Sequence, residues 1–410
     1  MGLLFTKLNG LERILLLLYS IVILGLFLYS FTQIDLSLTF SRIEILRSAV
    51  GYFQHIGYFD RPLSTYLYIT LVILLFGFYG VFLWLTKKKK ISKPFVWITI
   101  LISSLLLVFS YNAFSYDIFN YVFDAKIVTH YHENPYEHKA LDYAGDPMLS
   151  FMRWTHRVYP YGPVWLALTV PLSAIGLQIF LVTFFLFKLL IAASFVGSVY
   201  FIGKVFQKIA PEREVFGLVF FGLNPLVLIE SLVSAHLDIV MMCVALWSFY
   251  LLLNKKYTLS YITFALSVGI KFVTAFIAPI FLLIHFLQVK HKKISWDLLF
   301  GFALLLLVAG IIVESNLSNF QPWYLLAAFP FAVFVAHRYI VLIPSVIISF
   351  AALLNYVPYL FVGNWDKPIP QILSDINFFS YCLSFFVIAV YFVYKQFMFA
   401  KSVKRHVKHT

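Results

Sequence analysis

Stretches of about 20 mostly apolar residues recur from one end of this 410-residue chain to the other, and that recurrence decides its fold class. A helix of that length rises ~30 Å, the thickness of the hydrocarbon core of a bilayer. Within lipid each backbone polar group has to be satisfied inside its own segment, which makes such stretches helices. The chain is 62% hydrophobic and only 12% charged. A soluble domain carries roughly a quarter of its residues charged, so lipid rather than water must clothe most of this surface. The expectation is an all-α, polytopic membrane helix bundle forming a single domain over residues 1–410.

The net charge of +13 does not point to nucleic acid, because it is gathered in short clusters beside the apolar spans. Lys87–Lys90 with Lys93, then Lys290, Lys292 and Lys293, then Lys401, Lys404, Arg405 and Lys408 follow the positive-inside pattern of cytoplasmic loops. With Lys7 and Arg13 also inside, both termini are expected in the cytoplasm and the protein in the plasma membrane. The first apolar run is too long for a signal-peptide core and lacks a small-residue cleavage site. Spans are expected near 14–32, 64–86, 95–113, 215–231, 236–253, 257–270, 272–289, 295–313, 323–336, 339–361 and 376–396, with a large outer loop over 114–162. Residues 163–203 must cross an odd number of times, for which a short helix that dips and returns, broken near Pro171 to Gly176, and one full span would suffice. That makes 12 to 13 membrane helices, some short or broken. No fixed-period repeat is present, and Cys243 and Cys382 give neither a disulfide framework nor a metal-ligand spacing.

The outer loop concentrates the polar chemistry. Asp117, Asn120, Tyr121 and Asp124 share one face of a helix, while Ile118, Phe119, Val122 and Phe123 form an apolar face suited to the bilayer surface. Asn134-Pro135 should end that helix. Such a stripe fits a pair of working carboxylates, and equally an ordinary interfacial helix. Glu230, His236 and Asp238 occupy a short outer turn between spans; they either face a cavity or sit in headgroup water. Lys271, between two apolar runs, suits a phosphate or snorkels to the interface. Arg153, His156 and Arg157 add positive charge, and Trp323 and Tyr324 open a further span at the same face, as an aromatic belt also would.

These parts fit a sugar carried on a polyprenyl phosphate. A phosphate leaves without a general acid, so one carboxylate suffices to take the proton of the incoming hydroxyl, whereas a glycosidase needs two at a set separation. The motifs SYDIFNYVFDAK, HENPYEH, YPYGPVWLAL, NPLVLIE with SAHLD, GIK and QPWYLL, in that order over residues 95–335, resemble the polytopic glycosyltransferases of the GT-C class. Within that class they are most similar to bacterial polyprenyl-phosphomannose-dependent mannosyltransferases. In many of that class the large loop follows the first span, whereas here it follows the third.

The resemblance implies inverting transfer of a hexose, mannose by analogy, from a polyprenyl-phosphate donor to a glycan or lipid-linked acceptor in the cell envelope. Asp117 would be the general base and Asp124 the reserve. Lys271, or Arg153 with Arg157, would hold the donor phosphate, and His156, Glu230, His236, Asp238, Trp323 and Tyr324 would complete donor and acceptor binding. No cofactor is firmly implied; loop carboxylates could hold a divalent cation, but no compact ligand set singles one out. A transporter or flippase for a polar or lipid-linked solute is the alternative. That function calls for polar groups near the bilayer midplane and inverted repeats, whereas here Lys188 is the main mid-span charge. A purely structural membrane partner leaves the loop's density of Asp, His, Arg and Trp unexplained.

Overall fold

The computed structural model describes residues 8–38 and 43–407; Lys7 and Lys408, two members of the basic clusters, lie outside them. Among the described residues seven helices are long and apolar enough to cross a membrane: Gly10–Gln33, Arg61–Lys87, Phe180–Ile209, Phe272–Val289, Trp296–Ser318, Tyr339–Val362 and Ile369–Gln396. One pair, Pro211–Gly222 with Pro225–Val233, passes the same test but is bent by 58°. Asn224 makes that break: its side chain accepts the Leu226 N–H at 2.9 Å and so caps the second half, and Pro225 starts it where no N–H is needed. Five shorter apolar helices complete the bundle: Lys93–Leu107, Pro163–Ile175, Asp238–Leu253, Tyr257–Ile270 and Pro322–Val335. The all-α polytopic bundle is thus as expected; of the 12 to 13 membrane helices expected, seven among the described residues are long enough to cross, the bent pair makes an eighth, and the rest are short segments.

The helices give the bundle two chemically distinct ends. Trp296–Ser318 shows the separation, since Asp297 in its first turn and Glu314 in its last are roughly 25 Å apart along the axis. At the Asp297 end, which we call the basic end, Arg213 Nη1 and Arg338 Nη2 reach that carboxylate at 3.1 and 2.9 Å, and Lys93 pairs with Glu214 at 2.6 Å. At the other end lies the 114–162 loop.

Two local expectations are corrected and two are refined. The apolar face of the loop helix does not rest on lipid: Ile118, Phe119, Val122 and Phe123 are buried, and Phe119 packs on Phe151, Phe180 and Phe184. That helix, Asp117–Lys126, passes into a π turn, Ile127–Tyr131, and stops at His132 in the left-handed region (φ 58°), just before the expected end at Asn134-Pro135. The short helix expected after the loop is Pro163–Ile175, which runs through Pro171, ends at Gly176 at the far edge of the expected break, and stays against the loop at both ends. Tyr136 Oη donates to the Tyr161 carbonyl at 3.1 Å, just before its start, and Thr129 and Ser173 share a hydrogen bond of 2.9 Å near its finish. Phe180–Ile209 alone then provides the odd crossing. Finally, residues between the first two spans form an amphipathic helix, Glu44–Gln54, where no element was expected.

Candidate active site

Four chain segments bring ionisable groups together at the loop end. Asp117 opens the loop helix, its N–H held by Ser115 Oγ at 3.2 Å; a carboxylate suits the positive end of the helix dipole. Glu230 rides on the π turn Ile229–Val233, after which Ala235 adopts a left-handed conformation (φ 59°) that turns the chain, and Asp238 starts the next helix. Lys271 is the extended residue between Tyr257–Ile270 and the 3-10 turn Phe272–Ile277. Trp323 and Tyr324 lie in a second 3-10 turn, Pro322–Tyr324.

His236 is central. Its Nδ1 is 3.4 Å from Asp117 Oδ2, its Nε2 is 3.4 Å from Glu230 Oε2, and its ring stacks on Trp323 with centroids 4.1 Å apart. Glu230 also accepts a hydrogen bond of 2.8 Å from the Tyr356 hydroxyl. His236 and Glu230 are fully buried, whereas the Asp117 side chain is 14% exposed. Beside this row lies a second cluster, in which Lys271 Nζ meets Asp238 Oδ1 at 2.7 Å and Glu314 Oε1 at 2.6 Å, 4.9 Å over the Tyr324 ring. Tyr121 and Tyr161, whose rings meet at 5.3 Å, lie within electrostatic reach of both Asp117 and Asp238. The structure therefore brings Asp117, Glu230, His236, Asp238, Lys271, Trp323 and Tyr324 to one place.

Other candidates lie apart. Asp124 interacts with Tyr159 and Tyr161. Arg153 Nη2 lies 3.8 Å from Asp35 Oδ2 and stacks over Tyr116, the residue before Asp117. His156 and Arg157 are exposed on the loop, with Arg157 over Trp154. Three groups at or near the site escaped sequence reasoning: Glu314, Tyr356 and the buried Asp35. Each is a single polar residue at the edge of an apolar run, and for Asp35 and Glu314 the signal available was a carboxylate at a span terminus.

A model of the alpha-(1->6)-mannopyranosyltransferase N-terminal domain family matches residues 25–288. The chain belongs to this family. No curated protein and no solved structure matches it. The matched segment of this membrane mannosyltransferase contains Asp117, Glu230, His236, Asp238 and Lys271, while Glu314, Trp323, Tyr324 and Tyr356 come from the chain beyond it.

Electrostatics sort the mannosyltransferase's carboxylates. Burial pushes Asp124 up to about 8, so it is largely protonated at neutral pH. Burial alone would lower His236, but Asp117 and Glu230 on its two sides outweigh it and raise it to about 9. Likewise burial opposes the charge on Lys271, yet Asp238 and Glu314 hold it above the usual lysine range. His236 is therefore an imidazolium between two carboxylates at neutral pH.

Because folding raises the His236 pKa from 6.5 to about 9, its pairing stabilises the fold fully below pH 6.5 and the gain is lost as pH climbs towards 9. The expected loss is at most about 3 kcal/mol. Melting temperatures of the mannosyltransferase should fall across that interval, with a clearly shallower slope in His236→Asn; equal slopes would remove the imidazolium from this role.

Backbone contact explains two of the motifs. Gly162 N–H donates to the Ile270 carbonyl at 3.1 Å, and a Cβ on Gly162 would lie 2.1 Å from the Gly269 carbonyl oxygen. Only hydrogen fits there, so the loop exit YGP is pressed on the GIK turn that ends in Lys271. Gly162→Ala should destabilise the mannosyltransferase by about 2 kcal/mol or more, read as a lower melting temperature in detergent.

Proposed function

We propose that this protein transfers a mannosyl group from a polyprenyl-phosphate donor to a hydroxyl of a glycan or lipid-linked acceptor, on the extracytoplasmic face of the plasma membrane. The acceptor oxygen forms the new bond to C1, the bond from C1 to the phosphate oxygen breaks with inversion, polyprenyl phosphate departs as an anion, and Asp117 takes the acceptor's proton. The observation that carries the reading is the setting of Asp117: an accessible carboxylate backed by the buried, cationic His236. Asp124 is the weaker candidate, since at neutral pH it already holds a proton. The family's linkage is α, and an inverting enzyme making it needs a β-linked donor.

Arg153 suits the donor phosphate. Its side chain is 56% exposed, only loosely held 3.8 Å from Asp35, and stacked on the residue that precedes the base. Lys271 is already matched by two carboxylates and so serves better to fix Asp238 and Glu314, whose oxygens can accept from sugar hydroxyls. Trp323 offers a ring face for sugar stacking. Arg213, Arg338 and Lys87 lie at the opposite end of the bundle, which supports the cytoplasmic placement of that end by the positive-inside pattern.

The test is to incubate purified protein in lipid nanodiscs with a panel of labelled polyprenyl-phosphate hexoses, with and without a mannan acceptor. Acceptor-dependent consumption of the β-mannosyl donor, giving an α-linked product, is the expected result. Consumption of a nucleotide sugar instead, or of no donor at all, overturns the reading.

A further inference from the structure

Away from the cluster, a lysine is sealed inside a span. Lys188, in the first half of Phe180–Ile209, is 1% exposed. An ammonium has three N–H donors and no acceptor capacity. All three are used, reaching the Ser110 carbonyl at 2.9 Å, Ser110 Oγ at 3.0 Å and the Val233 carbonyl at 3.2 Å. Among the described residues no carboxylate pairs with it, and its partners are these three oxygens. Keeping a cation in such a place is unfavourable, and a methionine of similar length would avoid the penalty.

What the ammonium joins gives it a use. Ser110 leads into Asp117 along a tightly bonded link: Tyr111 N–H donates to Ser30 Oγ at 3.0 Å, Asn112 Nδ2 to the Ser115 carbonyl at 2.6 Å, and Asp117 N–H to Ser115 Oγ at 3.2 Å. Val233 closes the π turn that carries Glu230 and runs on to His236. We propose that Lys188 is a positioning residue for mannosyl transfer. Its ammonium fastens the segment ending in Asp117 to the turn bearing Glu230 and His236, and so sets the Asp117–His236 geometry; this rests on Asp117 being the base.

Lys188→Met should insert and melt at or above the wild-type temperature, because a buried charge is removed. Its kcat should nevertheless fall by about 10- to 100-fold, with donor KM within about threefold, as expected when the base is displaced while substrate binding stays intact. Ser110→Ala, which removes one of the three acceptors, should show the same split with a smaller loss of roughly two- to fivefold in kcat. Wild-type kcat in Lys188→Met overturns the assignment, and so does a kcat loss that merely follows a lowered melting temperature. Should Lys188→Met fail to insert, Ser110→Ala and Lys188→Gln carry the test by the same criteria. A wild-type protein inactive with every donor would sink the Asp117 reading instead. Lys188 then still answers to amide exchange, where Lys188→Met should selectively deprotect residues 107–117 and 229–238.

Discussion

Asp117→Asn will insert and bind donor normally but transfer mannose at least about 10³ times more slowly than the wild type, within the range of a lost general base. The amide keeps the size of the carboxylate and can still contact His236 Nδ1, 3.4 Å away in the wild type, so the fold is preserved. It cannot accept the acceptor's proton. The loss should therefore fall on kcat, with the donor KM little changed. Asp124→Asn supplies the contrast: because burial already keeps that carboxyl protonated near neutrality, the variant should retain most of its activity at pH 7. A single-turnover assay with labelled donor measures both, and high activity in the Asp117 variant would move the base elsewhere.

Lys271→Ala is expected to act first on stability. The ammonium lies 2.7 Å from Asp238 and 2.6 Å from Glu314, and Asp238 is almost wholly buried. Removing the cation leaves two like charges facing each other across the space it filled, at a cost of about 3 kcal/mol, in line with breaking a buried pair by removing one partner. Lys271→Met combined with Asp238→Asn and Glu314→Gln, which removes all three charges, should recover most of that stability without recovering activity. Melting temperatures in detergent separate these outcomes. A Lys271→Ala protein as stable as the wild type, with only its donor KM raised, would return the residue to phosphate binding.

Much of this arrangement is legible in the sequence for reasons that can be named. Asp117, Asn120, Tyr121 and Asp124 recur at helical spacing, and Asp117–Lys126 is a helix. Polar residues crowded into the short turn from Glu230 to Asp238 had to find partners, and they did so in one another and in Asp117. Pairing across the bundle stays hidden. Glu314 and Tyr356 are remote in sequence from Lys271 and Glu230, and periodicity along one helix carries no information about which neighbour it meets. The buried apolar face of the loop helix departs from expectation for a related reason. Hydrophobicity says that Phe119 leaves water, not whether lipid or Phe180 and Phe184 receive it. Pro163–Ile175 breaks at Gly176 and not at Pro171, because proline is also tolerated inside a helix whose freed carbonyl is surrounded by protein.

The 3-10 turn Pro322–Tyr324 puts neighbouring side chains on two different ions: Trp323 on the His236 ring and Tyr324 beneath the Lys271 ammonium. Proline fixes the backbone at the head of the turn, so the two rings spring from Cα positions set by one short segment. The imidazole and the ammonium thus each meet a ring carried by the same turn. A shift of that turn's backbone would therefore be felt at both ions together.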